Sequence, residues 1–457
     1  MSSGAFDIWS WRGTVGRRRY VVTGVVLFAL KHNLDRLLAA IFDYPWGPFN
    51  YFVFFSPDKS ILGLSPADAT FLGVLVVFAL PFIWIGVMLT LRRLRDAGLP
   101  LWLVILFFVP LINLIFFVLL GAIPGTSSTT RTSQVSSWIG RLIPESEFGS
   151  AAFGVLATAF LTALEIVFTT NGLGEYGWGL FVGIPFFLGL SSTLIYSYHR
   201  PRPLSKCLLV ASLATALVGA TLFAVAVEGF ICLVMALPLA LALALFGAFI
   251  GYVLQSSPSF ATSTFNVVSI GFLLIPGLIL AEHVLGEAPP VYKVTTSVVI
   301  KADPQTVWTN VVTFSQLPPP TEALFKTGIA YPIRAEIRGR GVGAVRHCIF
   351  STGPFVEPIT TWDEPRLLQF DVREQPRAME EMSLYNDLRP PHVENYFIAR
   401  KGQFELKPLP DGSTLLEGTT WYQNRFWPAP YWRLWSDYII ESIHTRVLLH
   451  IKSLAEK

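Results

Sequence analysis

The C-terminal part of this 457-residue chain concentrates the side chains that can do chemistry. Trp421, Tyr422, Phe426, Trp427, Tyr431, Trp432, Trp435 and Tyr438 fall within eighteen residues. A buried Trp or Tyr needs a partner for its N–H or O–H, so core packing alone seldom takes this many. Lining a cavity for an apolar ligand and resting on a bilayer interface are the uses that compete with plain packing. Four histidines, His347, His392, His444 and His450, accompany them, with Glu357, Asp371 and Arg446 as further polar groups available to a cavity. His444 and His450 are six apart, on different faces of a helix, which is not the spacing of a zinc-binding pair. There is no C-x-x-C or G-x-S-x-G, and GRGVGAV lacks the Gly-Lys-Ser/Thr ending of a phosphate loop, so it reads as a hairpin turn and strand start. A Ser-His-Asp triad is spatial and is not decided by sequence. The expectation is no metal and no cofactor, with no catalytic set that can be named.

A second polar group lies far from the first. Lys31, His32, Asn33, Asp35 and Arg36 interrupt an apolar stretch. Lys31 and Asp35 are spaced i,i+4, as are His32 and Arg36, so each pair can meet on one helical turn. A charge at mid-bilayer costs at least about 2.5–3.5 kcal/mol, which makes an unpaired set untenable. One reading is a polar site facing a bundle interior, an ion or headgroup pathway. The other is a span neutralised by its own pairs, with Lys31 and Arg36 reaching the interface. Glu165 and Glu228 mark membrane boundaries, and Gly179-x-x-x-Gly183 and Gly247-x-x-x-Gly251 read as devices for close helix approach.

The elements that position these groups follow from an uneven charge distribution. The chain is 52% hydrophobic and only 14% charged, against roughly 25% charged in soluble domains. Up to Gly286 there are 27 charged residues in 286; from Glu287 onward there are 38 in 171. Disorder, a coiled coil and nucleic-acid binding are excluded. About eight apolar stretches, near 21–42, 70–91, 99–122, 150–170, 177–198, 206–227, 230–254 and 262–285, are long enough to span a bilayer. Pro110 and Asn113 inside 99–122 also allow a re-entrant hairpin. Eight crossings place the C-terminal domain in the cytoplasm; the basic residues Arg17–Arg19, Arg92–Arg95 and Arg200–Lys206 place it outside if that hairpin is real. The cytoplasmic side is the expectation. Cys207, Cys232 and Cys348 lack the spacing of a disulfide framework.

The expected organisation is an N-terminal membrane domain (1–126), a Ser/Thr-rich linker (127–149), a second membrane region (150–286) and a soluble domain (291–457). In the last, YKVTTSVVIK reads as a strand and Asp303 as an N-cap with Pro304 first in a helix. Strand-like runs follow at 330–338, 343–351, 355–362, 366–373, 395–406 and 413–422. The stretch from Ala429 to the end reads as a long helix, with no Gly or Pro in its run from Tyr431 onward. The order is α+β.

Two resemblances add to this. VVIKADPQTVWTNVVTFSQLP, the strand pair around GRGVGAVRHCIFSTG, the TWDEPRLLQFDV turn and the terminal helix resemble the superfamily of START-related proteins, polyketide cyclases and Bet v 1-like allergens, over roughly 291–455. That resemblance implies a helix-grip fold, a curved antiparallel sheet around a long helix with an apolar cavity between them, and a hydrophobic ligand. It implies no reaction. Gly16-Arg17-Arg18-Arg19-Tyr20, Arg92-Arg93-Leu94-Arg95-Asp96-Ala97-Gly98, Trp102 and Pro124-Gly125 resemble a bacterial inner-membrane family of unknown function, number 805, although that family usually has His where Arg95 stands.

The expected cavity residues are Trp308, His347, Phe350, Phe355, Trp362, Phe370, Trp421, Tyr422, Trp435, Tyr438, Ile439, Ser442 and Arg446. The expected partners are the bilayer and a hydrophobic small molecule, at the bacterial plasma membrane, with oligomeric state open. A membrane-tethered cyclase or hydrolase using the same cavity, and a transporter with a regulatory soluble domain, are the competing functions. A buried carboxylate or histidine with a shifted pKa would favour the enzyme.

Overall fold

The computed structural model describes residues 9–44, 46, 66–108, 112–123, 125, 142–255, 264–285, 289–385, 388–394 and 396–457. Pro110, Pro124, most of the 127–149 linker and 286–288 lie outside them. The chain divides into two compact units, one of residues 1–221 and 237–286, the other of 222–236 and 287–457.

The first unit is helical. Its elements are α1 (Arg17–Ile41), α2 (Pro66–Ala97), a short 3-10 helix (Leu101–Phe108), α3 (Ile112–Ala122), α4 (Glu147–Val167), α5 (Ile184–Tyr196), α6 (Leu204–Ala224), α7 (Phe230–Gln255) and α8 (Thr264–Leu285), except that the last residues of α6 and the first of α7 fall in the second unit. Among the described residues, six helical stretches are long and apolar enough to cross a membrane: Thr70–Ala97, Glu147–Leu173, Gly179–Tyr196, Leu204–Ala224, Phe230–Gln255 and Val267–Val284. Two of the eight expected spans are absent from this set. α1 carries the Lys31–Arg36 charges, and 99–122 has residues 109–111 outside the described ones, with a 3-10 helix before them and the short α3 after. Glycine lets α5 and α7 touch backbone to backbone. A Cβ on Gly189 would lie 1.8 Å from the Ala244 carbonyl oxygen, and one on Gly247 would lie 1.9 Å from that of Phe186.

The Arg-Arg-Leu-Arg-Asp-Ala-Gly run has a physical role in this unit. Arg93 is fully buried, and its Nε donates to the Leu120 carbonyl at 2.9 Å while Nη2 donates to that of Ile123. One guanidinium thus satisfies carbonyls at the C-terminal end of α3, where a cation also meets the negative end of the helix. Asp96 accepts from Arg93 Nη1. Arg95 reaches the Trp11 carbonyl and lies 5.4 Å from the Trp11 ring.

In the second unit, β1 (Val291–Ile300), α9 (Pro304–Val312), β2 (Pro332–Arg338), β3 (Val345–Phe350), β4 (Gly353–Asp363), β5 (Leu367–Asp371), β6 (Phe397–Pro408), β7 (Thr414–Asn424) and α10 (Ala429–Ala455) follow in order. The seven strands form one antiparallel sheet in the order β1-β7-β6-β5-β4-β3-β2. Register irregularities in β2, β4 and β6 bend it. Asp303 caps α9 as expected, accepting from Gln305 N and Thr306 N. The long α10 packs on β1 and β7 with α9 beside it. This is the helix-grip arrangement, and its core holds Trp308, Val311, Phe314, Cys348, Ile359, Leu368, Phe370, Phe404, Leu416, Leu448 and Ile451.

Candidate functional site

Period-two alternation decides which strand residues face α10. On β3 the inward residues are Arg346, Cys348 and Phe350; on β4 they include Phe355, Glu357 and Ile359. Arg346 pairs directly with Glu357 across the ladder and donates to its carboxylate. Arg346 is 2% exposed, and its guanidinium carbon lies 5.5, 5.4 and 5.6 Å from the rings of Phe314, Phe370 and Phe404. Its Nε and Nη2 have no hydrogen-bond partner among the described residues. Burial pushes Glu357 above the usual carboxylate range, with Arg346 opposing the shift. Burial works against the charge on Arg346 too, but Glu357 outweighs it and holds a guanidinium. The site is a buried cation among aromatic rings, with two nitrogens unpartnered among the described residues.

His444 of α10 stands between the helix and the other end of the sheet. Thr296 Oγ1 of β1 is 3.1 Å from its Nδ1, and Thr420 Oγ1 of β7 is 2.7 Å from its Nε2. Burial pushes its pKa down to about 4, so the ring is neutral at pH 7. Nearby, the Tyr422 hydroxyl donates to Asp437, and Asn424 donates to Ser436 Oγ.

The expected cavity residues separate into groups. Trp308, Phe350, Phe355, Trp362 and Phe370 belong to the interior or pack against it, with Trp308 and Trp362 edge to face at 5.6 Å. Tyr422 is fully buried against Tyr292. His347 is opposite Val356 and Glu336 in the ladder, so it faces away from Arg346. Trp421 is on that outer face too, with the Lys293 and Lys401 ammonium groups 5.5 and 5.4 Å from its ring. On α10 the buried line is Trp432, Ser436, Ile440, Val447, Leu448 and Ile451. Trp435, Ile439 and Ser442 are half-buried beside it, and Tyr438 is 53% exposed. Arg446 is buried, donates to the Pro318 carbonyl and lies over Tyr331. Asp371 is exposed. In α1, Lys31 and Asp35 form the expected i,i+4 ion pair with Asp35 fully buried. His32 stacks on Phe28 at 6.1 Å, and Arg36 is exposed.

Arg346 was not among the sequence-level candidates. A legible signal existed: the tight turn at Ser351-Thr352 pairs Phe350 with Gly353 and, counting back, Arg346 with Glu357. A group that sequence spacing did not reveal unites Glu228, Cys232, Glu381 and His392 within the second unit.

Residues 8–131 match a family model described as a protein of unknown function, DUF805. No curated protein matches the chain. The C-terminal region is similar to a truncated norcoclaurine synthase from Thalictrum flavum, at 13% identity over 37% of this chain and 95% of that one, with a TM-score of 0.24. It is also similar to the Zhui aromatase/cyclase from Streptomyces sp. R1128, at 15% identity over 36% of this chain and 94% of that one, with a TM-score of 0.26.

Proposed function

We propose that this is a multi-pass bacterial inner-membrane protein whose C-terminal domain, on the cytoplasmic side, binds a hydrophobic small molecule bearing a hydrogen-bond-accepting or anionic group. The observation that carries this reading is Arg346, buried among three phenyl rings with Nε and Nη2 unused. Leaving buried charged donors unmet costs more than the roughly 1–3 kcal/mol of a neutral group. A carboxylate, phosphate or carbonyl on the ligand would recover that cost, while an apolar body would pack on Phe314, Phe370 and Phe404. The six long apolar helices support a membrane anchor for such a domain. Proximity to the bilayer raises the effective concentration of any lipid-derived ligand.

Full-length protein purified in detergent tests this by native mass spectrometry followed by organic extraction. The expected result is one apolar, acceptor-bearing molecule per chain, with occupancy about 10–100-fold lower in Arg346→Met, the effect of about 1.5–3 kcal/mol of charged hydrogen bonding. An empty protein that also rejects fatty acids, phospholipids and sterols overturns the reading. A bound lipid equally retained by Arg346→Met overturns the assignment of the site.

A second reading, a cyclase- or hydrolase-type enzyme, is favoured by Glu357, which is inward-facing, buried and raised in pKa. Its hydrogen bond to Arg346 engages it as an acceptor, which suits positioning better than proton delivery. Under the enzymatic reading Glu357→Gln retains the ligand unchanged and abolishes its conversion; under the binding reading the same molecule is recovered from both proteins.

A further inference from the structure

The second unit includes residues 222–236, the turn between α6 and α7 with the first residues of α7. Against it lies the segment that connects β5 to β6. Phe230 N donates to the Met382 carbonyl at 2.9 Å, and the Tyr385 hydroxyl donates to the Ala224 carbonyl at 2.6 Å. Between these backbone contacts, four side chains of metal-ligating type meet.

Cys232 Sγ lies 2.7 Å from Glu381 Oε1 and 2.9 Å from His392 Nε2, and His392 Nε2 lies 3.4 Å from Glu381 Oε1. On the other side of the imidazole, Glu228 Oε2 is 3.4 Å from Nδ1. One donor atom each from Glu228, Cys232 and His392 falls within 4.8 Å of the others, the spread expected around one ion with bonds of roughly 2.0–2.3 Å. The side chains of His392 and Glu228 are 4% and 9% exposed, and that of Glu381 is fully buried. Glu381 Oε2 has no hydrogen-bond partner among the described residues.

The donor chemistry of this arrangement suits a cation. Among the described residues, two carboxylates and a thiol share a buried site with a histidine. Burying a net negative charge costs several kcal/mol unless it is compensated. A divalent ion takes the thiol as thiolate and offsets two of the three negative charges that then face it.

We infer that Cys232, His392, Glu381 and Glu228 form a binding site for one divalent transition-metal ion, with zinc the best match to mixed sulfur, nitrogen and oxygen donors. Cys232 Sγ, His392 Nε2 and Glu381 face one point. Glu228 stands at Nδ1, where a carboxylate orients a metal-bound imidazole and fixes its tautomer. The cysteine gives up its proton on binding, so loading releases a proton. Burial marks the site as structural: the ion ties the β5–β6 connection to residues 228–232. It is independent of the ligand proposed at Arg346.

The test uses full-length protein in detergent, carrying no polyhistidine tag, stripped by chelator and then reloaded. Zinc is counted by elemental mass spectrometry after dialysis, and cobalt(II) is titrated in parallel. The expected result is one zinc per chain and a thiolate-to-cobalt charge-transfer absorption. Cys232→Ser removes that absorption, Cys207→Ser leaves it intact, and Glu228→Gln weakens zinc binding about 10–100-fold. His392→Ala lowers stoichiometric zinc to background. Folded wild-type protein that retains no zinc and shows no charge-transfer absorption overturns the site, whatever the variants do. Cobalt absorption that survives Cys232→Ser overturns it equally.

Discussion

Arg346 on β3 and Glu357 on β4 are directly opposed across the ladder, and both side chains lie inside the domain. A buried pair resists the loss of one member far more than the loss of both. Glu357→Gln should therefore destabilise the second unit by about 3–5 kcal/mol, because it strands a guanidinium already short of acceptors. Replacing both by apolar residues, Arg346→Met with Glu357→Leu, should recover most of that loss. Thermal unfolding in detergent checks it; equal destabilisation by the single and double variants would refute it.

His444 makes the stability of the second unit depend on pH. Its folded-state pKa is pushed down to about 4, against about 6.5 for an unfolded histidine. Between these values the unfolded chain binds a proton that the folded chain does not, so stability falls as pH drops from about 6.5 to about 4 and levels below that. The loss is of order 3 kcal/mol. Subtracting the pH profile of His444→Gln from that of wild type should isolate this slope, since other titrating groups are common to both. A flat difference profile would show that the imidazole is hydrated.

Two glycines facing the same interior should respond differently to alanine. A Cβ on Gly402 would lie 2.3 Å from the Phe370 ring, one of the rings around Arg346, whereas on Gly418 the nearest atom is Leu448 at 3.6 Å. Gly402→Ala should cost about 1–3 kcal/mol by displacing Phe370, and lower ligand occupancy with it. Gly418→Ala should be neutral or stabilising by up to about 1 kcal/mol. Denaturation midpoints of the two variants decide this, and a reversed order would contradict the packing described.

Arg93 should not tolerate lysine. An ammonium cannot reproduce the fork that reaches the Leu120 and Ile123 carbonyls together with Asp96. Each carbonyl left unmet costs about 1–3 kcal/mol. Arg93→Lys should lower the thermal midpoint of the helical unit, and unchanged unfolding would show that water replaces the contacts.

The sheet-and-helix order was legible because its signals are local. Asp303-Pro304 announces α9, alternation announces β1, and the Gly- and Pro-free run from Tyr431 announces α10. His347 and Trp421 were misleading because residue type gives no face: only pairing partners fix which side of a pleat a side chain occupies. On α10 the inward line through Trp432, Ser436 and Ile440 is one residue out of step with Trp435 and Ile439, a rotation of about 100° that helix periodicity alone cannot anchor. The Glu228–His392 group was invisible for a different reason. Its members are separated by up to 164 residues and carry no motif spacing.

The partition of the chain has a consequence for how such a protein arises and how it is divided. Residues 222–236 belong with 287–457, and the Tyr431 hydroxyl bonds the Met235 carbonyl as Phe230 N bonds that of Met382. The second unit is thus not a cassette appended at one seam. A gene fragment starting at the Pro289-Pro290 junction encodes an unfinished object, missing backbone partners and two of the four side chains of the Glu228–His392 group. Recombination at that junction would exchange the sheet but leave the receiving strip behind, so the two stretches must be inherited together.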